Sequence, residues 1–229
     1  MSDAAITIAV ADDQRVSGLL RIPPKATACY VMAHGAGAGM SHEFLASMAD
    51  ALAGFRIATL RFQFPYMQRG RRRPDSPAVA HATVRAAVAE AARYCGRLPL
   101  FAGGKSFGAR MTSQAQAARP IAGLRGLVFL GFPLHPPRRP STDRAEHLSE
   151  VHLPMLFLQG TRDEFAKLEL LTPVCRNLGQ RATLETFDDA DHSFHVRARS
   201  GRTDGEVRTA LANAIAAWIG GVQTTILGG

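Results

Sequence analysis

A serine set between glycines is the feature of this sequence with the clearest chemical potential. Residues 104–108 read GKSFG and match the pattern G-x-S-x-G. They follow an apolar run of strand length, 98–103, and precede a stretch of helical character, 107–118. In a strand–turn–helix setting such a serine is exposed at the end of its strand as a nucleophile. Ser106 is therefore the candidate nucleophile, and the backbone N–H of Phe107 is a candidate donor to an oxyanion.

A nucleophilic serine requires a base that takes its proton and an acid that orients the base. Asp163 follows the predicted strand 154–160, and His192 follows the predicted strand 182–187. Parallel strands end at the same edge of a sheet, so the loops that carry these residues can reach Ser106. The sequence thus predicts a Ser106–Asp163–His192 triad, in which the Asp163 charge should hold the pKa of His192 near or above ~6.5.

Neighbouring residues compete for two of these roles. His195 is the nearest alternative base. Asp188, Asp189 and Asp191 are alternative acids, but they share the loop of His192 and would oppose its imidazole poorly. We therefore retain Asp163 as the predicted acid.

A run of small residues offers a second oxyanion donor. Residues 34–39 read HGAGAG and follow the apolar run 29–33. A backbone N–H made accessible by small residues at the end of a neighbouring strand can complete an oxyanion hole. Ala36 is the first choice for this donor and Gly37 the second. Gly35 and Gly37 are also candidates to line the substrate pocket, while the histidine that opens the run is expected to pack beneath the loop.

The serine motif has one rival interpretation. Residues 104–106 read GKS and resemble the end of a phosphate-binding loop, G-x-x-x-x-G-K-S. The first glycine of that pattern would fall at Pro99, and residues 100–102 read LFA, which is typical of a strand. We therefore reject the phosphate-binding interpretation.

Apolar runs of strand length alternate with amphipathic stretches of helix length along the whole chain. This alternation predicts βαβ units and a mostly parallel, doubly wound sheet, with an antiparallel N-terminal hairpin at one edge. No linker or repeat divides the chain, so we expect one α/β domain over residues 1–229. The predicted strands are 4–11, 17–22, 29–33, 57–64, 98–103, 126–132, 154–160 and 182–187, and the predicted helices are 41–52, 77–95, 107–118, 168–178 and 207–218.

Capping and breaking residues suggest where several of these elements end. Ser41 and Ser76 suit the N-cap positions of the first two helices. The glycine pair 220–221 is expected to end the last helix, and Pro173 to kink or shorten the one before it. Residues 12–13, both aspartates, are expected to form the turn of the hairpin.

Composition places the chain among ordinary globular proteins. Of its 229 residues, 46% are hydrophobic and 20% are charged, and no apolar run approaches the ~20 residues that cross a bilayer. Three well-separated cysteines and the lack of a basic, apolar leader are typical of a reducing compartment, so we expect a cytoplasmic protein. No CxxC or HxH pair has metal-ligand spacing, and we expect neither a metal nor another cofactor.

Basic residues outnumber acidic ones and give a net charge of +8. Such an excess can attract nucleic acid. The densest cluster, Arg69, Arg71, Arg72 and Arg73, is expected to lie in one exposed loop because it adjoins glycine and proline. Aromatic residues that could stack on bases are not interleaved with it. We therefore do not expect a nucleic-acid partner.

Taken together, these motifs resemble the α/β-hydrolase superfamily, in particular its small, capless, dienelactone-hydrolase-like branch. Within that branch the chain is most similar to bacterial predicted hydrolases related to the hydrolase-like domain of a human histone-acetyltransferase complex subunit. The resemblance covers nearly the whole chain and rests on six segments: 34–39 (HGAGAG), 61–66 (RFQFPY), 103–108 (GGKSFG), 131–137 (GFPLHPP), 160–163 (GTRD) and 190–194 (ADHSF).

The resemblance implies an α/β-hydrolase fold and a small-molecule acyl substrate. Dienelactone enzymes carry a cysteine nucleophile where Ser106 stands here, so the dienelactone reaction is not implied. Many members of the superfamily insert a lid after the strand equivalent to 126–132, but here the segment 134–152 is too short for a lid domain. We expect it to form an ordered loop over a shallow site, with His135 and Arg61 as candidate pocket residues and simple packing as the alternative for both.

Two functions are compatible with the sequence. The first is a serine hydrolase that cleaves an ester, thioester or related acyl bond through an acyl-enzyme intermediate. The second is a weakly active or inactive hydrolase-like scaffold that acts as a protein-interaction module, because a fold alone does not guarantee an activity. The intact Ser, Asp and His favour the first. The sequence leaves the oligomeric state open.

Overall fold

One eight-stranded sheet forms the centre of the structure, a computed structural model that describes residues 2–11 and 13–227. The strands are β1 (Ala4–Ala11), β2 (Gln14–Arg21), β3 (Ala28–Ala33), β4 (Ile57–Phe62), β5 (Leu100–Lys105), β6 (Leu124–Leu130), β7 (Met155–Gly160) and β8 (Ala182–Phe187). They lie in the order β1-β2-β4-β3-β5-β6-β7-β8. β1 and β2 form an antiparallel hairpin, β2 pairs antiparallel with β4, and the other neighbours are parallel.

Helices cover both faces of this sheet. They are α1 (Glu43–Gly54), α2 (Pro65–Gln68), α3 (Pro77–Cys95), α4 (Phe107–Ala118), α5 (Leu168–Asn177) and α6 (Asp204–Leu227). Leu45 of α1 and Leu211 of α6 belong to the core on one face, and Val84 of α3, Met111 of α4 and Leu171 of α5 belong to the core on the other. Within the described part of the chain, no helix is both long and apolar enough to cross a membrane.

The predicted α/β architecture is confirmed. Every predicted strand is present, with ends that shift by no more than three residues. β3 and β4 are buried along their whole length, as expected for inner strands covered by helices on both faces. Because parallel strands end at one edge, the loops after β3, β5, β7 and β8 meet there.

Two helix ends differ from the prediction. α1 begins at Glu43, and its N-cap is His42, whose ring nitrogen Nδ1 accepts from the N–H of Phe44; Ser41 is not the cap. α6 continues through the glycine pair 220–221 to residue 227. A glycine costs a helix about 1 kcal/mol, but Ile219 is anchored in the core beside the pair, and packing outweighs that cost.

Other termini follow the prediction in part. Ser76 occupies the N-cap position of α3, but its side chain makes no capping hydrogen bond. Pro173 lies inside α5, which still runs over the predicted segment to Asn177. Asp12, predicted to form the hairpin turn with Asp13, lies outside the described residues.

Part of the segment after β6 packs on α4. Residues Asp143–Glu150 form a short 3₁₀ helix that packs on α4. There His147 Nε2 is hydrogen-bonded to the hydroxyl of Ser113 across 2.7 Å. None of residues 134–152 lines the cavity beside Ser106 that is described below, so the expected loop does not form a wall of the site.

Candidate active site

Ser106 occupies a sharp turn between β5 and α4. Its backbone has φ = 50° and ψ = −112°, a left-handed conformation that costs a non-glycine residue about 1–3 kcal/mol. The turn also packs closely on β3. A β-carbon on Gly104 would lie 2.0 Å from the Ala33 carbonyl oxygen, and one on Gly108 would lie 2.5 Å from it. The glycines of the motif are thus required by this close approach, which presents the serine at the edge of the sheet.

Three side chains from three loops form a continuous hydrogen-bond chain. The Ser106 hydroxyl donates to His192 Nε2 across 2.8 Å, and His192 Nδ1 donates to Asp163 Oδ2 across 2.6 Å. Asp163 is only 4% exposed. Its Oδ1 accepts from the backbone N–H of Phe165 across 2.7 Å, and its Oδ2 also accepts from the side-chain amide of Gln159. The carboxylate is therefore fixed on the side of the imidazole that faces away from the serine.

The surroundings of His192 favour its neutral form. Burial lowers the pKa of the imidazole below its ordinary value of 6.5, and the neighbouring Lys105 ammonium lowers it further. The hydrogen bond and charge of Asp163 act in the opposite direction but do not outweigh burial. The expectation that the pKa of His192 would lie near or above its ordinary value is therefore wrong, because the sequence does not show how far the ring is removed from water.

The two N–H groups predicted as oxyanion donors, those of Phe107 and Ala36, have no acceptor within residues 2–11 and 13–227. Phe107 is the first residue of α4, and its N–H has no partner inside the helix. The N–H of Gly37, by contrast, donates to the Tyr66 hydroxyl across 3.1 Å. Of the two donors considered in this loop, Ala36 is the one available to a ligand.

A buried histidine supports the same loop from below. His34 is fully buried; its Nδ1 donates to the Gly35 carbonyl across 2.7 Å, and its Nε2 accepts from the Phe64 N–H across 3.0 Å. Burial lowers the pKa of His34 to about 4. The ring is therefore neutral and holds the loop, as expected from the sequence.

A cavity of about 290 Å³ opens beside Ser106. Its wall is mostly apolar, and its polar groups are concentrated around the serine. The lining residues are Gly35, Ala36, Ala38, His42, Phe44, Leu45, Lys105, Ser106, Phe165, His192 and Ser193. The arrangement can hold a compact group next to a hydroxyl, a neutral imidazole and two unengaged N–H donors.

Comparison with models of known protein families shows to which family the chain belongs. A family model described as an alpha/beta hydrolase domain matches residues 26–220. The chain belongs to the alpha/beta hydrolase family. The matched region of this hydrolase contains Ser106, Asp163 and His192 together with the loop 34–39.

Solved structures share the fold of this hydrolase at low sequence identity. An α/β serine hydrolase without a lid from Xanthomonas campestris is 22% identical, with a TM-score of 0.73 and 95% of both chains covered. A dienelactone hydrolase from Anabaena variabilis is 20% identical, with a TM-score of 0.75 and coverage of 95% of this chain and 96% of that one. A serine hydrolase homologue from Coxiella burnetii is 18% identical, with a TM-score of 0.74 and coverage of 93% and 98%.

These similarities confirm the predicted likeness to small, capless hydrolases that include dienelactone-hydrolase-like proteins. The likeness to the hydrolase-like domain of a human histone-acetyltransferase complex subunit stays a prediction.

Three of the predicted pocket residues lie away from the cavity wall of the hydrolase, whereas Gly35 is part of it. Gly37 is turned toward Tyr66. Arg61 is 1% exposed and forms an ion pair with Asp3. His135 is buried, and its Nε2 accepts from the N–H of Lys167 across 3.2 Å. Arg61 and His135 thus serve packing, because their side chains point into the protein beneath the strand ends.

The competing acids and base have other partners. His195 Nδ1 lies 2.9 Å from a carboxylate oxygen at the start of α6. Asp189 pairs with Arg197, and Asp191 Oδ1 accepts from two backbone N–H groups of its own loop. Asp188 is exposed. Within the described residues, the carboxylate that hydrogen-bonds to the imidazole of the hydrolase is that of Asp163.

Several residues of the site escaped the sequence analysis. Phe44, Leu45 and Phe165 form the apolar wall, but their spacing resembles that of ordinary core residues. Gln159 gave a usable signal, since it is the polar residue of an otherwise apolar strand. Tyr66 lay within one of the recognised segments, although its role as a hydrogen-bond partner of the 34–39 loop could not be predicted.

Proposed function

We propose that the protein is a serine hydrolase that cleaves an ester, thioester or related acyl bond of a small molecule. The observation that carries the proposal is the hydrogen-bond chain from Ser106 through His192 to the buried Asp163, with separations of 2.8 and 2.6 Å. This arrangement is the one in which a weakly acidic hydroxyl becomes a nucleophile at neutral pH.

In the first half of the reaction, Ser106 Oγ attacks the substrate carbonyl carbon while His192 Nε2 takes the hydroxyl proton. The carbonyl oxygen becomes an oxyanion that the N–H groups of Phe107 and Ala36 stabilise. His192 then returns the proton to the leaving group as its bond to the carbonyl carbon breaks, and an acyl-enzyme remains. Asp163 holds the imidazole in the required tautomer throughout.

In the second half, water replaces the leaving group. His192 takes a proton from the water as its oxygen attacks the acyl carbon, and the same two N–H groups stabilise the second oxyanion. Return of the proton to Ser106 Oγ releases the carboxylic acid. The cycle needs no cofactor, and removal of one oxyanion donor typically costs about 100- to 1,000-fold in kcat.

The experiment that tests the proposal is labelling with a fluorophosphonate probe, combined with hydrolysis of acyl esters and thioesters. We expect covalent labelling of the wild type and no labelling of Ser106→Ala, with ester hydrolysis lost in the same variant. Ser113→Ala is the matched control, since that hydroxyl is engaged with His147 on another face. A wild type that neither labels nor hydrolyses any ester would favour the alternative, an inactive hydrolase-like scaffold.

We also propose a cytoplasmic location. The three cysteines, Cys29, Cys95 and Cys175, are buried and unpaired, which suits a reducing compartment. Fractionation of the native host with an antibody to the protein would test this, and recovery from an oxidising compartment would contradict it.

A further inference from the structure

The cavity beside Ser106 has a chemical character that limits what can enter it. Phe44 and Leu45 of α1 form one side, and Phe165 forms the other. The Phe44 ring stacks on the buried Phe194 ring, with centroids 5.7 Å apart and planes within 7°. The Phe165 ring lies over His192 at a centroid distance of 4.3 Å. These walls are braced by other aromatic rings, and the cavity is therefore preformed.

The cavity also contains one cationic side chain, Lys105, and its charge is engaged elsewhere. A β-carbon on Gly131 would lie 3.0 Å from Lys105 Nζ. The same point is 3.5 Å from both Asp163 Oδ2 and His192 Nδ1. The ammonium also donates to the His192 carbonyl oxygen, and the charges that act on it are those of Asp163 and Asp191.

From these observations we infer that the substrate carries a compact, uncharged, apolar acyl group. The inference rests on the proposed hydrolase function and concerns only its specificity. A cavity of about 290 Å³ holds roughly ten groups of the size of a water or a methylene, at about 30 Å³ each. After the carbonyl carbon and oxygen and the first two atoms of the leaving group are placed, about six groups remain for a straight acyl chain. A carboxylate on that chain would have to compete with Asp163 and Asp191 for the one ammonium in the cavity wall, and a buried charge without full compensation is unfavourable.

The test is a series of p-nitrophenyl esters from acetate to decanoate, with the charged adipate monoester beside the uncharged hexanoate. We expect kcat/KM to rise about fourfold for each added methylene up to hexanoate and then to fall. Hexanoate should exceed the adipate monoester at least tenfold. In Phe44→Ala the optimum should move to longer chains, while Phe55→Ala, at the exposed end of the same helix, should keep the wild-type profile.

A flat chain-length profile, or a preference for the charged ester, would overturn this inference. Fluorophosphonate labelling separates it from the proposed function. A wild type that labels but shows no chain-length preference is a hydrolase with a different substrate class, whereas a wild type that does not label is not a serine hydrolase.

The position of the Lys105 ammonium carries a second inference. Lys105 precedes Ser106, and its Nζ donates to the backbone carbonyl oxygen of His192. It also lies 5.5 Å from the centroid of the Phe194 ring, two residues after the base. Each of these contacts ties the end of β5 to the loop that carries the imidazole.

We propose that Lys105 is a positioning residue, which holds the His192 loop and, through its charge, favours the neutral imidazole. The charged groups that face the ammonium are Asp163, from the loop after β7, and Asp191, from the loop after β8. Burial lowers the pKa of Lys105 to about 8, although the charges of both aspartates act to raise it. It is therefore predominantly protonated at neutral pH, where a positive charge beside His192 disfavours the imidazolium.

Two variants separate the effect of the Lys105 hydrogen bond to the His192 loop from the effect of its positive charge. Lys105→Met removes both, and Lys105→Gln keeps a donor without the charge. On the hexanoate ester we expect kcat to fall about tenfold in Lys105→Met, as for loss of one hydrogen bond, and less than threefold in Lys105→Gln. In both variants the acid-side midpoint of kcat/KM should rise by about one pH unit.

A midpoint that stays at the wild-type pH in Lys105→Gln would overturn the electrostatic role, whatever the fold of Lys105→Met. A KM that rises only for the adipate monoester would show that the ammonium binds an anionic substrate instead. Circular dichroism and fluorophosphonate labelling confirm that each variant keeps its fold and its nucleophile.

Discussion

Among single residues, removal from water distinguishes Asp163 and His192, the proposed acid and base, from their neighbours. Asp163 is almost fully buried and its oxygens accept three hydrogen bonds, whereas Asp189 forms ion pairs with Arg162 and Arg197 nearer the surface. A hydrogen bond between Asp163 and His192 is stronger in this low-dielectric setting. The same burial lowers the pKa of His192, so that the base is available at neutral pH.

Asp163→Asn should lower kcat far more than the same change at the other three aspartates. In well-studied triads this substitution favours the wrong imidazole tautomer and costs about 10⁴-fold, or roughly 5 kcal/mol of barrier. Asp188→Asn and Asp189→Asn should cost less than about tenfold, and Asp191→Asn keeps the oxygen that accepts within its loop. The measurement is kcat on one ester, with native circular dichroism for each variant. Should Asp163→Asn be the mildest of the four, the assignment of the acid is wrong.

The activity should rise with pH as His192 loses its proton, with a midpoint below 6.5. Activity rises with pH because a general base must have a neutral imidazole. The midpoint lies below 6.5 because the pKa of His192 is lowered. The measurement is kcat/KM for a neutral ester between pH 4.5 and 8, with incubation at each pH followed by assay at pH 7.5 to detect unfolding. A midpoint at or above 6.5 would contradict the dominance of burial over the Asp163 charge.

At the scale of elements, the close packing of α4 on β3 positions the nucleophile. The N-terminus of α4 begins directly after Ser106, and its second residue, Gly108, lies against Ala33 at the end of β3. The next loop, 34–39, starts from that same strand end. One packing contact between a helix and a strand thus sets the distance between the serine and the Ala36 N–H.

Gly108→Ala should destabilise the protein, while Gly54→Ala should not. Both glycines are helical, so alanine gains up to about 1 kcal/mol of helix propensity at either site. At Gly108 the added carbon would lie 2.5 Å from the Ala33 oxygen, whereas at Gly54 it meets nothing within 4 Å. We expect a net loss of about 1–3 kcal/mol at the first site and a small gain at the second, measured by urea unfolding. Equal stability of the two variants would refute the proposed role of this contact.

At the scale of the whole molecule, the net charge of +8 is not concentrated in the cavity. Arg71, Arg72 and Arg73 are exposed in the loop after α2 and have no ion-pair partner within the described residues. Arg69 differs from them, because it pairs with Asp75 across 2.7 Å. That loop therefore contributes a diffuse positive field, which salt screens within about 10 Å at 0.1 M.

Replacement of Arg71, Arg72 and Arg73 by Gln should leave kcat/KM for a neutral ester unchanged within about twofold. Arg69 is kept in this variant because Asp75 also accepts from the Tyr66 N–H, and Tyr66 supports the 34–39 loop. The measurement is kcat/KM at low and high salt for the variant and the wild type. A collapse of kcat that is independent of salt, in a folded variant, would show that these arginines act on the site directly.

The fold class and the three residues of the proposed triad could be predicted from the sequence alone. The spacing of apolar residues and the local composition distinguish strands from helices. In a parallel sheet, residues that follow the ends of strands meet at one edge. Ser106, Asp163 and His192 each follow a strand directly, so their proximity could be predicted from chain order.

The arrangement of the rest of the site depends on tertiary packing and could not be predicted from the sequence. The direction of the His192 pKa, the availability of the Ala36 N–H, and the exclusion of Arg61 and His135 from the cavity depend on burial and on partners distant in sequence. The same holds for α6, which runs through two glycines because neighbouring residues are anchored in the core. The packing of the whole chain sets how far each side chain is buried and which hydrogen-bond partners it contacts. Local sequence patterns do not predict either of these.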